Sequence, residues 1–272
     1  MLAGQRQKLI LDEVRRHGAV RVRELTELLH VSEMTVRRDL DMLAESGLLE
    51  KVHGGATVSG HLSSDEPEFE AAAHREPAAK EAIAEAARRL VSPGQALGLT
   101  AGTTTWRLAR RIVDVDDLTV VTNSLQLASL LHREARPSLT VVLTGGVRTA
   151  SDVLVGPVAL MTVSSLHLDT LFLGVHGMAE ETGFTVSDLL EAEADRAFIA
   201  AAQRVVVVAD STKWGLRGLS RVARLDEVHT LVTDDGLPGE AKDVLGGRLE
   251  IVLAPVREPG ARRRSAGRGR RS

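Results

Sequence analysis

ALGLTAGTTTWRLARRI (96–112), followed at 118–134 by LTVVTNSLQLASLLHRE, sets the architecture of most of this chain. In each stretch a short apolar run ends in small polar residues and passes directly into a helical pattern. The same unit recurs. Candidate strands are ALGLT (96–100), LTVVT (118–122), LTVVLT (139–144), TLFLGV (170–175), VVVVA (205–209), HTLVT (229–233) and EIVL (250–253). Their apolar residues are continuous rather than alternating, as in strands covered on both faces. Helical patterns such as SLQLASLLHRE and EAEADRAFIAAAQR lie between them. This predicts an α/β domain with a mostly parallel, doubly wound sheet. In such a sheet the carboxyl ends of the strands share one edge, where ligands bind. Here those ends read Ala101-Gly102-Thr103-Thr104-Thr105, Asn123-Ser124, Gly145-Gly146, His176-Gly177 and Asp210-Ser211-Thr212-Lys213. Any one of them could be a tight turn; together they point to a ligand crevice.

Upstream, three helical patterns cover Gln5–His17, Arg23–His30 and Ser32–Ser46. In the third, Val36, Leu40 and Leu43 recur at helical spacing and should face a core. Met34, Thr35 and Arg38 then project to the opposite side with Arg37 on the flank, and Ser32 is placed to cap the helix. Two helices joined by a short link, the second displaying Thr and Arg, fit a helix-turn-helix on double-stranded DNA. Arginine there can bond guanine or a phosphate. The following segment, Leu48 to Val58, reads as two short strands around a Gly54-Gly55 turn: a wing that brings Lys51 and His53 near a phosphate backbone. A small protein-binding bundle with Arg37 and Arg38 on a solvated face is the alternative.

The chain thus divides into a winged helix-turn-helix (1–58), a linker rich in Ser, Pro and acid (59–79), an α/β domain (80–256) and a basic tail (257–272) read as disordered. A length of 272 residues suits two modest domains. Residues 1–58 have no net charge, 59–256 carry −9 and 257–272 carry +6, so bulk charge does not announce a DNA binder. With four Phe, two Trp and no Tyr, the chain lacks the aromatic platforms that stack single-stranded bases. The absence of Cys excludes disulfides, thiolate metal sites and cysteine nucleophiles. No stretch reaches the roughly 18 apolar residues of a membrane span, and MLAGQRQKLI is unlike a signal peptide. A cytoplasmic protein without membrane contact is expected. The nine histidines show no HxH or HxxxH spacing. GxGxxG and Walker A patterns are missing too, so neither metal nor cofactor is expected.

SEMTVRRDLDMLAESGLLEKVHGGA (32–56) closely resembles the winged helix-turn-helix of the DeoR family of bacterial sugar-metabolism repressors. The resemblance resumes in GTTT (102–105), VVTNS (120–124), LTGG (143–146), FLGVHG (172–177) with GFT (183–185), LLEAE (189–193) with Arg196, and ADSTKWG (209–215). It spans about residues 1–255. It implies operator binding by the first domain and sensing of a phosphorylated sugar or related intermediate by the second, whose fold would resemble sugar-phosphate isomerases. The sensed ligand usually releases DNA. Gly102, Thr103, Thr104 and Thr105 would hold the phosphate, in keeping with the free amides and dipole of a helix N-terminus. The resemblance places Asn123, Gly145 and Gly146 around the pocket, and Glu191 and Lys213 near the sugar. Taken alone, Glu191 is an ordinary helix carboxylate and Lys213 a surface lysine. Asp210 could orient Lys213 or cap the next turn. Thr100 and Ala101 stand where family members commonly carry an acidic residue and Ser, and His176 where a polar or acidic residue is frequent.

Two functions follow from these readings. The first is a repressor released from its operator by a phosphorylated sugar. The second is a sugar-phosphate isomerase with a DNA-binding appendage, in which Glu191 and Lys213 would supply the base and cation that proton transfer beside a carbonyl requires. The missing carboxylate at Thr100 and the family resemblance favour the non-enzymatic reading. Two-fold operators call for an even-numbered assembly, a homodimer or homotetramer.

Overall fold

The computed structural model describes residues 3–17, 19–45, 49–52, 55–57, 69–134 and 136–256. The N-terminal unit comprises α1 (Ala3–His17), β1 (Ala19–Arg21), α2 (Val22–Leu29), α3 (Glu33–Glu45), β2 (Glu50–Val52) and β3 (Gly55–Thr57). The three helical patterns become three helices, and Val36, Leu40 and Leu43 are buried with Ile10, Val14, Leu25 and Leu29. His30, in the left-handed conformation at φ 52°, ends α2 and turns the chain toward α3. The wing gains a strand that the sequence reading did not include: β1 pairs with β3, which pairs with β2, all antiparallel. Gly55 permits this pairing, because a Cβ there would lie 2.1 Å from the Val20 carbonyl oxygen.

Within the stretch read as linker, Phe69–Ala73 forms a short helix, α4, and α5 (Pro77–Arg88) begins there and runs on into the α/β domain. The Phe69 ring meets Trp106 edge-on at 6.2 Å, so apolar contact orders residues whose polar surroundings suggested none. The chain continues through β4 (Ala96–Leu99), α6 (Thr103–Ile112), β5 (Thr119–Thr122), α7 (Leu125–Glu134), β6 (Thr140–Leu143), β7 (Val147–Arg148), β8 (Leu154–Val155) and α8 (Pro157–Ser164). After these come β9 (Leu168–Leu173), β10 (Gly177–Ala179), β11 (Gly183–Val186), α9 (Leu189–Ala201), β12 (Ala202–Val208), β13 (Ser220–Ala223), β14 (Thr230–Asp234), α10 (Gly239–Gly246) and β15 (Glu250–Ala254).

All seven candidate strands enter one parallel sheet in the order β15-β14-β12-β9-β4-β5-β6. Both of its faces are covered. Val206, Val208 and Phe172 pack with Ile83 of α5, Leu108 of α6 and Leu130 of α7. Their neighbours Val205, Val207 and Leu171 pack on the other side with Val163 of α8, Phe198 of α9 and Leu245 of α10. Burial on both faces explains the continuous apolar runs. The winding reverses between β4 and β9, which makes that gap the switch point. A second sheet, β10-β11-β13, is antiparallel and was not anticipated.

Candidate functional site

On α3, Ser32 Oγ accepts from the Thr35 amide at 3.3 Å and bonds the Thr35 hydroxyl at 2.9 Å. This cap fixes the start of the helix and ties down Thr35, which is half-buried. Met34 is 81% exposed, and Arg37 and Arg38 are also exposed. Arg37 Nη2 lies 3.5 Å from Glu33 on the same helix. Next to this pair, Asp39 is buried and grips Arg6 of α1: Arg6 Nη2 donates to Oδ1 at 3.1 Å and Arg6 Nε to Oδ2. In the Arg-Arg-Asp run the arginines therefore face out while the aspartate anchors the helix. Its partner lies 33 residues upstream, so no local pattern signals the pairing. Lys51 lies in β2, whereas His53 and Gly54 fall outside the described residues.

The parallel sheet brings the loops after its strands to one edge. Gly102 precedes α6, and the Thr105 hydroxyl closes the loop by donating to the Gly102 carbonyl at 2.8 Å. Thr104 and Thr105 are buried; Thr103 is partly exposed. One strand over, Asn123 is buried, and neither its amide nitrogen nor its oxygen has a partner among the described residues. Buried amides are ordinarily bonded, so this one suits a polar ligand. Gly145 and Gly146, both at positive φ, follow β6.

Glu191 lies in the first turn of α9, capped by Asp188. Its carboxylate accepts from Ser151 at 2.6 Å and Thr149 at 3.2 Å. Burial raises its pKa, and the negative charge of Asp188 adds to that. One turn on, Ala194 packs with Val153, Val155 and Ala101, which brings Glu191 toward the Gly102 loop.

Across the switch point, Lys213 follows β12. The Asp210 side chain bonds the Thr212 hydroxyl rather than Lys213. Burial first, then the charges of Lys213 and Arg75, pulls His176 down to about 4, so its imidazole is neutral near pH 7.

Three further cations cluster here that the sequence did not single out. Lys80 is buried, and its Nζ donates to the Ala72 carbonyl at 2.7 Å. Arg107 donates to Ala73 at 3.1 Å and Glu81 at 3.0 Å, while its Nε is buried without a partner among the described residues. Arg75 is close enough to feel Asp210. Lys80 and Arg107 read locally as ordinary solvated helix residues and Arg75 as a linker residue; only the tertiary fold assembles them. A groove beside the second sheet, lined by Glu180, Arg224, Asp226 and Arg248, is occupied by its own ion pairs.

Residues 75–235 match the DeoR C terminal sensor domain, and residues 6–60 match the DeoR-like helix-turn-helix domain. The chain belongs to the DeoR family. An uncharacterized HTH-type transcriptional regulator, YulB of Bacillus subtilis (strain 168), is 32% identical over 96% of this chain and 100% of its own length. A putative aga operon transcriptional repressor of Escherichia coli O157:H7 is 31% identical over 92% of this chain and 93% of its own. The HTH-type transcriptional repressor CsqR of Escherichia coli (strain K12) is 32% identical over 91% and 94%. This DeoR-family chain is accordingly a transcription regulator with a helix-turn-helix DNA-binding domain and a sensor domain. Among the described residues no helix is long and apolar enough to cross a membrane. No group of three or more metal-ligating side chains occurs among them either.

Proposed function

We propose that this DeoR-family regulator represses carbohydrate-metabolism genes and leaves its operator when a phosphorylated sugar or related intermediate occupies the switch-point crevice. The observation that carries this reading is the buried, unpartnered amide of Asn123 beside the Gly102–Thr105 loop. A helix N-terminus favours an anion, and an unsatisfied buried amide favours a polar body next to it. The repressor names of two relatives support the same direction.

In this reading residues 1–58 hold DNA through Ser32, Met34, Thr35, Arg37 and Arg38, with Lys51, His53 and Gly54 on the wing. Residues 80–256 sense the ligand, with Gly145, Gly146, Glu191 and Lys213 completing its pocket. The domain senses its ligand and does not convert it, and the protein assembles as a homodimer or homotetramer on two-fold operators. The test is to recover the genomic fragments that the protein retains and titrate their release with a panel of phosphorylated sugars. Turnover of any panel member would overturn the sensor reading, and retention of no particular sequence would overturn the operator reading.

A further inference from the structure

We infer that Met34 is a base-reading residue: its thioether packs on the C5-methyl group of a thymine in the major groove and makes the protein prefer thymine at that position of its operator. The inference rests on the operator reading above and assigns one side chain of α3 the chemical group it recognises.

Met34 is 81% exposed, more than any other large apolar side chain among the described residues. Single exposed apolar residues are common on protein surfaces, so the place of this one decides its meaning. It lies in the first turn of α3, and the second helix of a helix-turn-helix presents its N-terminal residues to base edges. At about 100° per residue, Met34 points away from Val36, Leu40 and Leu43, which are buried. It shares its outward face with the exposed Arg38. Packing in the core therefore does not account for a methionine here.

Chemistry narrows what this side chain can touch. A thioether has no proton to donate and accepts only weakly, so Met34 suits neither a phosphate nor the donors and acceptors of the base edges. The major groove carries one apolar group, the C5-methyl of thymine. Methionine is unbranched and polarizable, and adapts its shape to such a contact. The neighbours leave the role to Met34. Thr35 also has a methyl group, but it is half-buried and its hydroxyl is bonded to Ser32 Oγ at 2.9 Å. Glu33 faces Arg37, whose Nη2 lies 3.5 Å away on the next turn. Through the Thr35 amide at 3.3 Å, the Ser32 cap fixes the turn that carries Met34.

The experiment uses the full chain and an operator fragment recovered from the genome, with each thymine replaced in turn by uracil. Uracil lacks only the C5-methyl and keeps every hydrogen-bonding group. Affinities are titrated at one fixed salt concentration. At one or more thymines uracil should weaken wild-type binding about fourfold, the worth of one buried methyl-sized group. Met34→Ala should erase that penalty at one of these positions, binding its thymine and uracil forms equally, whereas Met34→Leu should keep the preference. A Met34→Ala variant that retains every uracil penalty overturns the inference, since the methyl contact then belongs to another group. A wild type that no uracil weakens overturns it too, and this scan needs no variant. Neither result touches the operator reading. A wild type that retains no particular sequence overturns that reading and this inference together.

Discussion

Thr100 Oγ1 accepts a hydrogen bond from the Gly174 amide at 3.1 Å and so ties the loop after β4 to the loop after β9, the two strands between which the winding reverses. The approach is close: a Cβ on Gly174 would lie 2.8 Å from the Ala101 carbonyl oxygen. At a position where the family resemblance implies an acidic residue, this chain has a buried hydroxyl that joins the loops on either side of the switch point.

Thr100→Val keeps the shape and removes the acceptor. Leaving the partly buried Gly174 amide without a partner should cost about 1 kcal/mol, read as a lower urea midpoint with an unchanged m-value. Thr100→Ser, which retains the oxygen, should lie close to the wild type. Loss in Thr100→Ser with none in Thr100→Val would mean that the methyl group, not the hydrogen bond, matters here.

Exposed Arg37 and Arg38 should contribute to DNA binding. If Arg38 reads a base, Arg38→Ala should cost roughly 1–3 kcal/mol and relax sequence preference. If it holds a phosphate, all sequences should weaken alike and the salt slope should fall by about one. Operator titrations at several salt concentrations distinguish the two. A folded double-alanine variant that binds like the wild type would remove α3 from the interface.

The neutral state of His176 ties folding to pH. Its folded value of about 4 lies below the ordinary 6.5, so between these values the unfolded chain binds more protons than the folded one. The contribution of this group to stability therefore rises with pH across that window and is lost as pH falls through it. His176→Gln should flatten the stability–pH curve between about 4 and 6.5 and leave the neutral limb nearly unchanged. An unaltered acid limb would show that other groups set it.

Much of the architecture was legible because burial on both faces writes continuous apolar runs into the parallel strands, and VVVVA over 205–209 shows it plainly. The strand that completes the wing was not, since Ala19–Arg21 is only three residues long and its partner Gly55–Thr57 lies far along the chain. The second sheet hid for the same reason: Val186 pairs with Ser220 across a long interval that holds all of α9 and β12. Loop residues of the crevice could be read from their place after strands. Lys80 and Arg107 could not, because a cation on a helix looks solvated until the fold draws it in against the same edge; Arg75 could not either, since it falls in the bend between α4 and α5.

The effector response can be tested at Thr103. Because Thr104 and Thr105 are buried, a charge there would strike the core as well as the ligand, whereas Thr103 is partly exposed at the first turn of α6. Thr103→Glu sets a carboxylate at the helix N-terminus, where its own charge is favoured, and repels an incoming phosphate. Folding and ligand-free operator binding should therefore survive. A ligand shifts DNA affinity only through unequal affinity for the DNA-bound and DNA-free states. A coupling of about 1–3 kcal/mol would give the wild type a roughly 5–150-fold response to the active phosphorylated sugar, and Thr103→Glu should reduce that response to near unity. Calorimetry with the same ligand should show its binding lost in parallel. Equal binding by wild type and variant would move the phosphate away from the Gly102–Thr105 loop, and the unpartnered Asn123 amide would then need another explanation.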